Sequence, residues 1–135
     1  RELTLKYILP VAHIEKFFEA LKEGKLLATK CRRCGARCFP PQADCPDCGS
    51  SDVEWFEVNG AGRLLTYTVI NVKPESYSDY PDYVVGVARL AEGFNVLAWV
   101  ECDDPKKLRR GMPVKIKARK RKEGFFSYHI VPVEE

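Results

Sequence analysis

The chain contains no apolar run of the roughly 20 residues that a membrane-crossing helix needs, so no segment of it reads as a transmembrane span. Histidine is scarce: only His13 and His129 are present, and neither lies near Cys102 in sequence. A thiol nucleophile needs an activating partner, so a catalytic Cys102 is disfavoured, and Cys102 reads as a small buried hydrophobe closing an apolar stretch. His129 has no orienting partner beside it in the sequence, and Asp103 and Asp104 read as turn residues. The glycine-rich segment Gly60-Ala61-Gly62 lacks the third glycine and the helix that a nucleotide loop requires, and it reads as a bend. No catalytic set emerges. Acid–base balance is also nearly even, with 22 basic and 19 acidic side chains. Within the chain no secretory stretch precedes the cysteines, which favours a reducing, cytoplasmic setting over disulfides.

What the sequence does hold is four cysteines in two paired knuckles, Cys31-Arg32-Arg33-Cys34-Gly35 and Cys45-Pro46-Asp47-Cys48-Gly49. Two such pairs supply four thiolates, which suits tetrahedral Zn²⁺ in a closed structural site. Iron is the chemical alternative, because tetrahedral sulfur ligation also suits it. A closed site leaves no open position for chemistry. Cys38 lies between the pairs without paired spacing, as a possible competing ligand.

Periodicity divides the chain into residues 1–25, a helical segment; 26–59, a metal ribbon; and 60–135, an all-β unit. Ile14, Phe17, Phe18 and Leu21 form one apolar stripe, predicting a helix over 11–23 with Pro10 in its first turn and Gly24 at its end. Its adjacent phenylalanines, Phe17 and Phe18, need a large surface to pack on, either the protein's own core or a partner. Strands are expected at 26–30 and 53–58, flanking the knuckles. Such a ribbon has too little apolar material to fold alone, so its folding should be coupled to metal binding. Five further strands are expected at 63–73, 83–91, 94–102, 113–121 and 125–133. The long connection between the third and fourth matches an OB-fold barrel. The expected fold is therefore mostly β: a helix, a rubredoxin-like zinc ribbon and a five-stranded OB barrel.

Charge is uneven along that plan. Residues 31–59 carry three basic and five acidic side chains, whereas ten basic residues and no acidic one lie between Lys106 and Lys122. A basic strip serves nucleic acid, a phosphorylated cofactor or an acidic partner. Two binding readings follow. A single nucleic-acid strand would lie on Lys115, Lys117, Arg119 and Arg121 and stack on Tyr67, Phe94, Phe125 and Phe126. A coenzyme A ester would place its phosphates on rim cations and its pantetheine arm in an apolar slot. Composition does not separate them.

The ordered set of IEKFFEALKEGKLLATKC (Ile14 to Cys31), CRRCG, FPPQ, CPDCGS, GAGRLLTYTVI, YVVGVARLAEGFNVLAWV and RRGMPVKIK resembles the acyl-CoA-associated zinc-ribbon/OB-fold family, domain of unknown function 35. The resemblance covers nearly all of the chain from Ile14 to Lys117. It implies a non-catalytic accessory subunit of thiolase-type or hydratase-type acyl-CoA enzymes. In its archaeal form it implies the bridging component between a thiolase and HMG-CoA synthase, passing acetoacetyl-CoA along the mevalonate route. The family's cysteine pattern falls on Cys31, Cys34, Cys45 and Cys48. On this reading the candidate acyl-CoA contacts are Arg63, Arg89, Lys115, Lys117 and Arg119, and the candidate docking residues are Phe17 and Phe18.

Overall fold

A computed structural model describes residues 3–5 and 12–133. Helix α1 spans Glu15–Lys22, shorter than the predicted 11–23. Residues 12–14 form a turn, and Pro10 and Val11 lie outside the described residues. The helix stops where Gly24 takes φ 78° and its amide donates to the Leu21 carbonyl at 3.0 Å. That is the left-handed closure for which glycine is the cheapest residue.

The ribbon is a three-stranded antiparallel sheet in the order β2–β1–β3, made of β1 Leu26–Cys31, β2 Arg37–Cys38 and β3 Val53–Val58. Strand β2 is too short to have left a periodic signal in the sequence. Thr29 is buried in β1, and its hydroxyl oxygen accepts the Gln42 amide at 3.0 Å, fixing the proline-rich loop between the knuckles.

The remaining strands are β4 Ala61–Ile70, β5 Tyr83–Leu90, β6 Asn95–Val100, β7 Pro113–Lys120 and β8 Phe126–Pro132. They close a barrel in the order β4–β5–β6–β8–β7. Closure runs through β4–β7 pairing on one side and a parallel β6–β8 contact at Val100–Ile130 on the other. This is the five-stranded OB architecture that the sequence predicts. The third-to-fourth connection contains a 3-10 turn at Pro105–Lys107, capped by the Asp104 carboxylate. Strand β4 crosses β5 so closely at Gly62 that a Cβ there would lie 2.2 Å from the Arg89 carbonyl oxygen.

One hydrophobic core runs through all three parts. Phe17 and Leu21 come from α1, and Leu26, Ala28, Phe39 and Val58 from the ribbon. They join Leu64, Phe94, Val96, Ile116 and Ile130 of the barrel. Phe39 is the hinge of this packing, its ring 6.0 Å from Phe17, 6.1 Å from Phe94 and 5.2 Å from Tyr128. Burying one such side chain stabilises the fold by about 1.5–3 kcal/mol.

Candidate metal centre and binding surfaces

The two knuckles are built alike. Gly35 and Gly49, at φ 80° and 74°, turn the chain back so that their amides donate to the Cys31 and Cys45 carbonyls at 2.9 Å in each case. The Cys31 and Cys45 amides then donate to Ala36 and Ser50, each at 2.8 Å. All four sulfurs, of Cys31, Cys34, Cys45 and Cys48, lie within 4.8 Å of one another. Cys31 and Cys48 are 3.6 Å apart and Cys34 and Cys45 3.5 Å. A tetrahedron with metal–sulfur bonds of about 2.3 Å has edges of about 3.8 Å. The cluster therefore fits a structural metal ion bound by four thiolates.

Its electrostatics point the same way. The Cys34 amide donates to the Cys31 sulfur and, with further hydrogen bonds, brings that thiol down to about 6. Cys34 moves the other way, to about 12: the Ala36 amide lowers it, but Cys45, burial and the other two sulfurs together outweigh that and push it up. Four thiolates this close repel one another, and a bound cation relieves that repulsion.

Cys38 sits on β2 opposite Thr29, outside the four-sulfur cluster, with its thiol pushed up by burial. Cys102 is also pushed up by burial, which disfavours the thiolate a nucleophile needs.

The docking pair splits. Phe17 is 3% exposed and belongs to the core, so only Phe18, at 37%, offers a partner much of its ring. Phe18 borders a cleft of about 680 Å³ with Ile14, Pro40, Pro41, Ala43 and Tyr128.

The five candidate anion contacts also divide. Arg63 and Arg89 lie directly opposite each other on β4 and β5. Like charges in that position repel, and neither forms an ion pair among the described residues. Instead Arg63 donates to the Gly111 carbonyl at 3.3 Å and Arg89 to the Asn95 side-chain oxygen at 3.2 Å. Lys115 joins them around one groove of about 620 Å³, with Ala61, Gly62, Ala91 and Val133 among its lining. Lys117 borders a different, more polar groove beside Lys25 and Glu57. Arg119 is held by Glu101, its Nε 2.7 Å from Oε1 and its Nη2 3.4 Å from Oε2. Its charge is already answered.

The residues expected to stack on nucleic-acid bases are mostly unavailable. Phe94 is buried, Phe126 packs against the core, and Tyr67 donates its hydroxyl proton to the Leu108 carbonyl at 2.9 Å. Phe125 is exposed. The aromatics at the OB loops are different ones. Trp99 is stacked on Tyr83 at 4.5 Å and covered by the Arg121 guanidinium at 4.2 Å. Tyr77 and Tyr80 of the β4–β5 loop close around them. Cations there are matched by neighbouring acids: Lys73 pairs with Asp82 at 2.7 Å and Arg121 with Glu123 at 3.6 Å.

Sequence reasoning missed one polar array because its members are far apart in the chain. His129 Nε2 is 3.0 Å from the Ser127 hydroxyl and Nδ1 is 3.4 Å from Glu101 Oε1. Burial pushes the imidazole below its ordinary value against the opposing pull of Glu101. Burial alone would raise Glu101, but the hydrogen bond and charge of Arg119, with His129, hold its carboxyl lowered. With both values depressed on folding, the unfolded chain binds protons first as pH falls, so each group costs stability in acid. The loss begins below the ordinary 6.5 for His129 and 4.5 for Glu101. Urea midpoints should therefore drop steadily from pH 7 to pH 4, and His129→Asn should flatten the upper part of that slope. Equal midpoints across the range would contradict this assignment.

Comparison with known proteins gives two family matches, end to end. The ChsH2 rubredoxin-like zinc ribbon domain matches residues 18–54, and the ChsH2 C-terminal OB-fold domain matches residues 55–119. A "DUF35 domain-containing scaffold protein" of Pyrococcus furiosus is 33% identical over 111 residues, covering 82% of this chain and 81% of the relative. A "probable enoyl-CoA hydratase alpha subunit" of Thermomonospora curvata is 35% identical over 98 residues, 73% of this chain but 30% of that protein. The solved "Ltp2-ChsH2(DUF35) aldolase" superposes with a TM-score of 0.72 at 29% identity, covering 87% of this chain and 92% of that one.

Proposed function

Because this chain belongs to the DUF35 scaffold family, we propose that it is a non-catalytic, acyl-CoA-binding subunit that docks on a thiolase-fold enzyme. On this reading it helps pass acetoacetyl-CoA to an HMG-CoA synthase. The supporting observation is the cleft at Phe18, Pro40 and Pro41, an apolar surface on a frame clamped by four cysteines. The names carried by two similar proteins, a probable enoyl-CoA hydratase alpha subunit and an aldolase, support this reading. The ion is zinc, serving structure alone. Iron in the same thiolates would make the protein red. Residues 1–25 and 26–59 serve docking, and 60–135 face the ligand.

Within the barrel the groove of Arg63, Arg89 and Lys115 takes the coenzyme A phosphates, because these three cations converge there and none forms an ion pair among the described residues. Lys117 and Arg119 are left outside it. Calorimetry of the chain with its partner enzyme tests this. Acetyl-CoA should bind, and Arg63→Glu with Lys115→Glu should weaken binding at least about tenfold, since charge-assisted hydrogen bonds are worth about 1.5–3 kcal/mol each. Unchanged affinity, or strongly salt-dependent binding of a single-stranded oligonucleotide in place of acetyl-CoA, would overturn the assignment.

A further inference from the structure

The polar array at the closure of the barrel takes no part in the docking cleft or the cationic groove. Ser127 and His129, two apart on β8, share one face of the strand, while Phe126, Tyr128 and Ile130 turn to the core. The Glu101 amide donates to the Ile130 carbonyl at 2.9 Å, which holds that residue beside β8. Arg119 lies directly across from Ser127 in the β7–β8 register and bonds both Glu101 oxygens.

These partners fix where each proton sits. Arg119 and His129 hold the Glu101 carboxyl lowered, hence ionised at neutral pH, and a carboxylate only accepts hydrogen bonds. The ring proton of neutral His129 therefore sits on Nδ1, 3.4 Å from Glu101 Oε1. Nε2 is left as the acceptor, 3.0 Å from the Ser127 hydroxyl. Burial keeps that imidazole unprotonated at pH 7. Hydroxyl, imidazole and carboxylate in that order make the arrangement that activates a nucleophile. Arg119 spends Nε and Nη2 on Glu101, and its Nη1 forms no hydrogen bond among the described residues. One cationic donor thus stays open on the strand facing Ser127, where an oxyanion would form. Ser127 is only half-buried. His129 and Glu101 border a cavity of about 680 Å³ walled in part by Val69, Tyr83 and Trp99.

We propose that Ser127 is a nucleophilic serine that accepts an acyl group from an activated ester, with His129 as its general base and Glu101 as the positioning residue. Ser127 Oγ bonds to the acyl carbon, and the bond from that carbon to the leaving oxygen or sulfur breaks. The hydroxyl proton passes to His129 Nε2 and from there to the leaving group. The step places one acyl group on each chain. It needs neither the partner enzyme nor the groove of Arg63, so it stands or falls apart from the docking role.

Treatment of the full, metal-loaded chain with p-nitrophenyl acetate tests it, followed by nitrophenolate release and peptide mass mapping. An acetyl ester on Ser127 is expected. His129→Gln should slow its formation at least about 100-fold, because general-base assistance is worth about 10²–10⁴-fold. Glu101→Gln should slow it less and move its pH midpoint downward, since His129 would then face Arg119, Arg121 and Lys117 without their counter-charge. Urea midpoints at pH 7 check that both variants are folded. Acetyl groups confined to lysines and cysteines of the wild-type chain overturn the proposal. So does a Ser127 ester that forms as fast in folded His129→Gln.

Discussion

Cys45→Ser should empty the metal centre and unfold the ribbon. Cys45 is buried, and its sulfur sits 3.5 Å from that of Cys34. Three thiolates and a hydroxyl hold the ion far more weakly than four thiolates, and in small four-ligand modules metal binding is folding free energy, about 10–16 kcal/mol for zinc-finger peptides. Elemental analysis should fall from one ion per chain to a trace. The damage should not stay local. Strands β1 and β3 and the loop at Phe39 contribute Leu26, Ala28, Phe39 and Val58 to the core that covers one side of the barrel. Loss of several kcal/mol there should lower Tm by more than about 10 °C at this chain length. Full metal retention with unchanged Tm would mean that another thiol completes the set. Cys38→Ser in the same chain would then reveal it, because Cys38 lies between the knuckles.

Phe39→Ala should be nearly as costly and tests a different link. Its ring touches α1 through Phe17 and the barrel through Phe94 and Tyr128, and the residue is 7% exposed. Removing a buried phenylalanine costs about 3–5 kcal/mol, transfer and cavity together. The metal stays bound, so the loss isolates the packing between ribbon and barrel. Trp55 lies in β3 and Trp99 in β6. Urea unfolding followed by tryptophan fluorescence, and by each tryptophan alone after replacing the other with phenylalanine, should show one shared transition displaced to lower urea. Two transitions, with only the Trp55 signal displaced, would mean that the ribbon and barrel fold as separate bodies.

The parts of this fold that repeat were legible in the sequence, and the parts that depend on long-range contact were not. Alternating residues such as Val114, Ile116 and their lysine neighbours mark β7, and the paired knuckles mark the four cysteines whose sulfurs the fold brings together, because strand period and knuckle spacing are local properties. Ile14 continues the apolar stripe and so extends the predicted helix, whereas the regular turns begin only at Glu15 and run to Lys22. Phe17 and Phe18 looked equivalent in sequence. Only the approach of Phe39 and Tyr128 decides that one is core and the other surface. The candidate cations divide between two surfaces for the same reason. Alternation places Lys115, Lys117 and Arg119 on one strand, but cannot show that Glu101, 18 residues before Arg119, neutralises it. Nor can it show that Arg63 and Arg89 meet across β4 and β5. Glu101, Ser127 and His129 were invisible as an array because barrel closure, through β6 beside β8, is what brings them together.

The most direct test of the account is a pull-down with a tagged, metal-loaded chain from cells of its own source, with captured proteins identified by mass spectrometry. A thiolase-fold or related acyl-CoA enzyme should be recovered in stoichiometric amount. Phe18→Asp, which alters the cleft without touching the cysteines, should reduce that recovery at least tenfold, because a desolvated aromatic anchor is worth about 2 kcal/mol or more. Recovery of the chain alone, or capture of the same enzyme undiminished by Phe18→Asp together with no acyl-CoA binding by the complex, would contradict the scaffold reading.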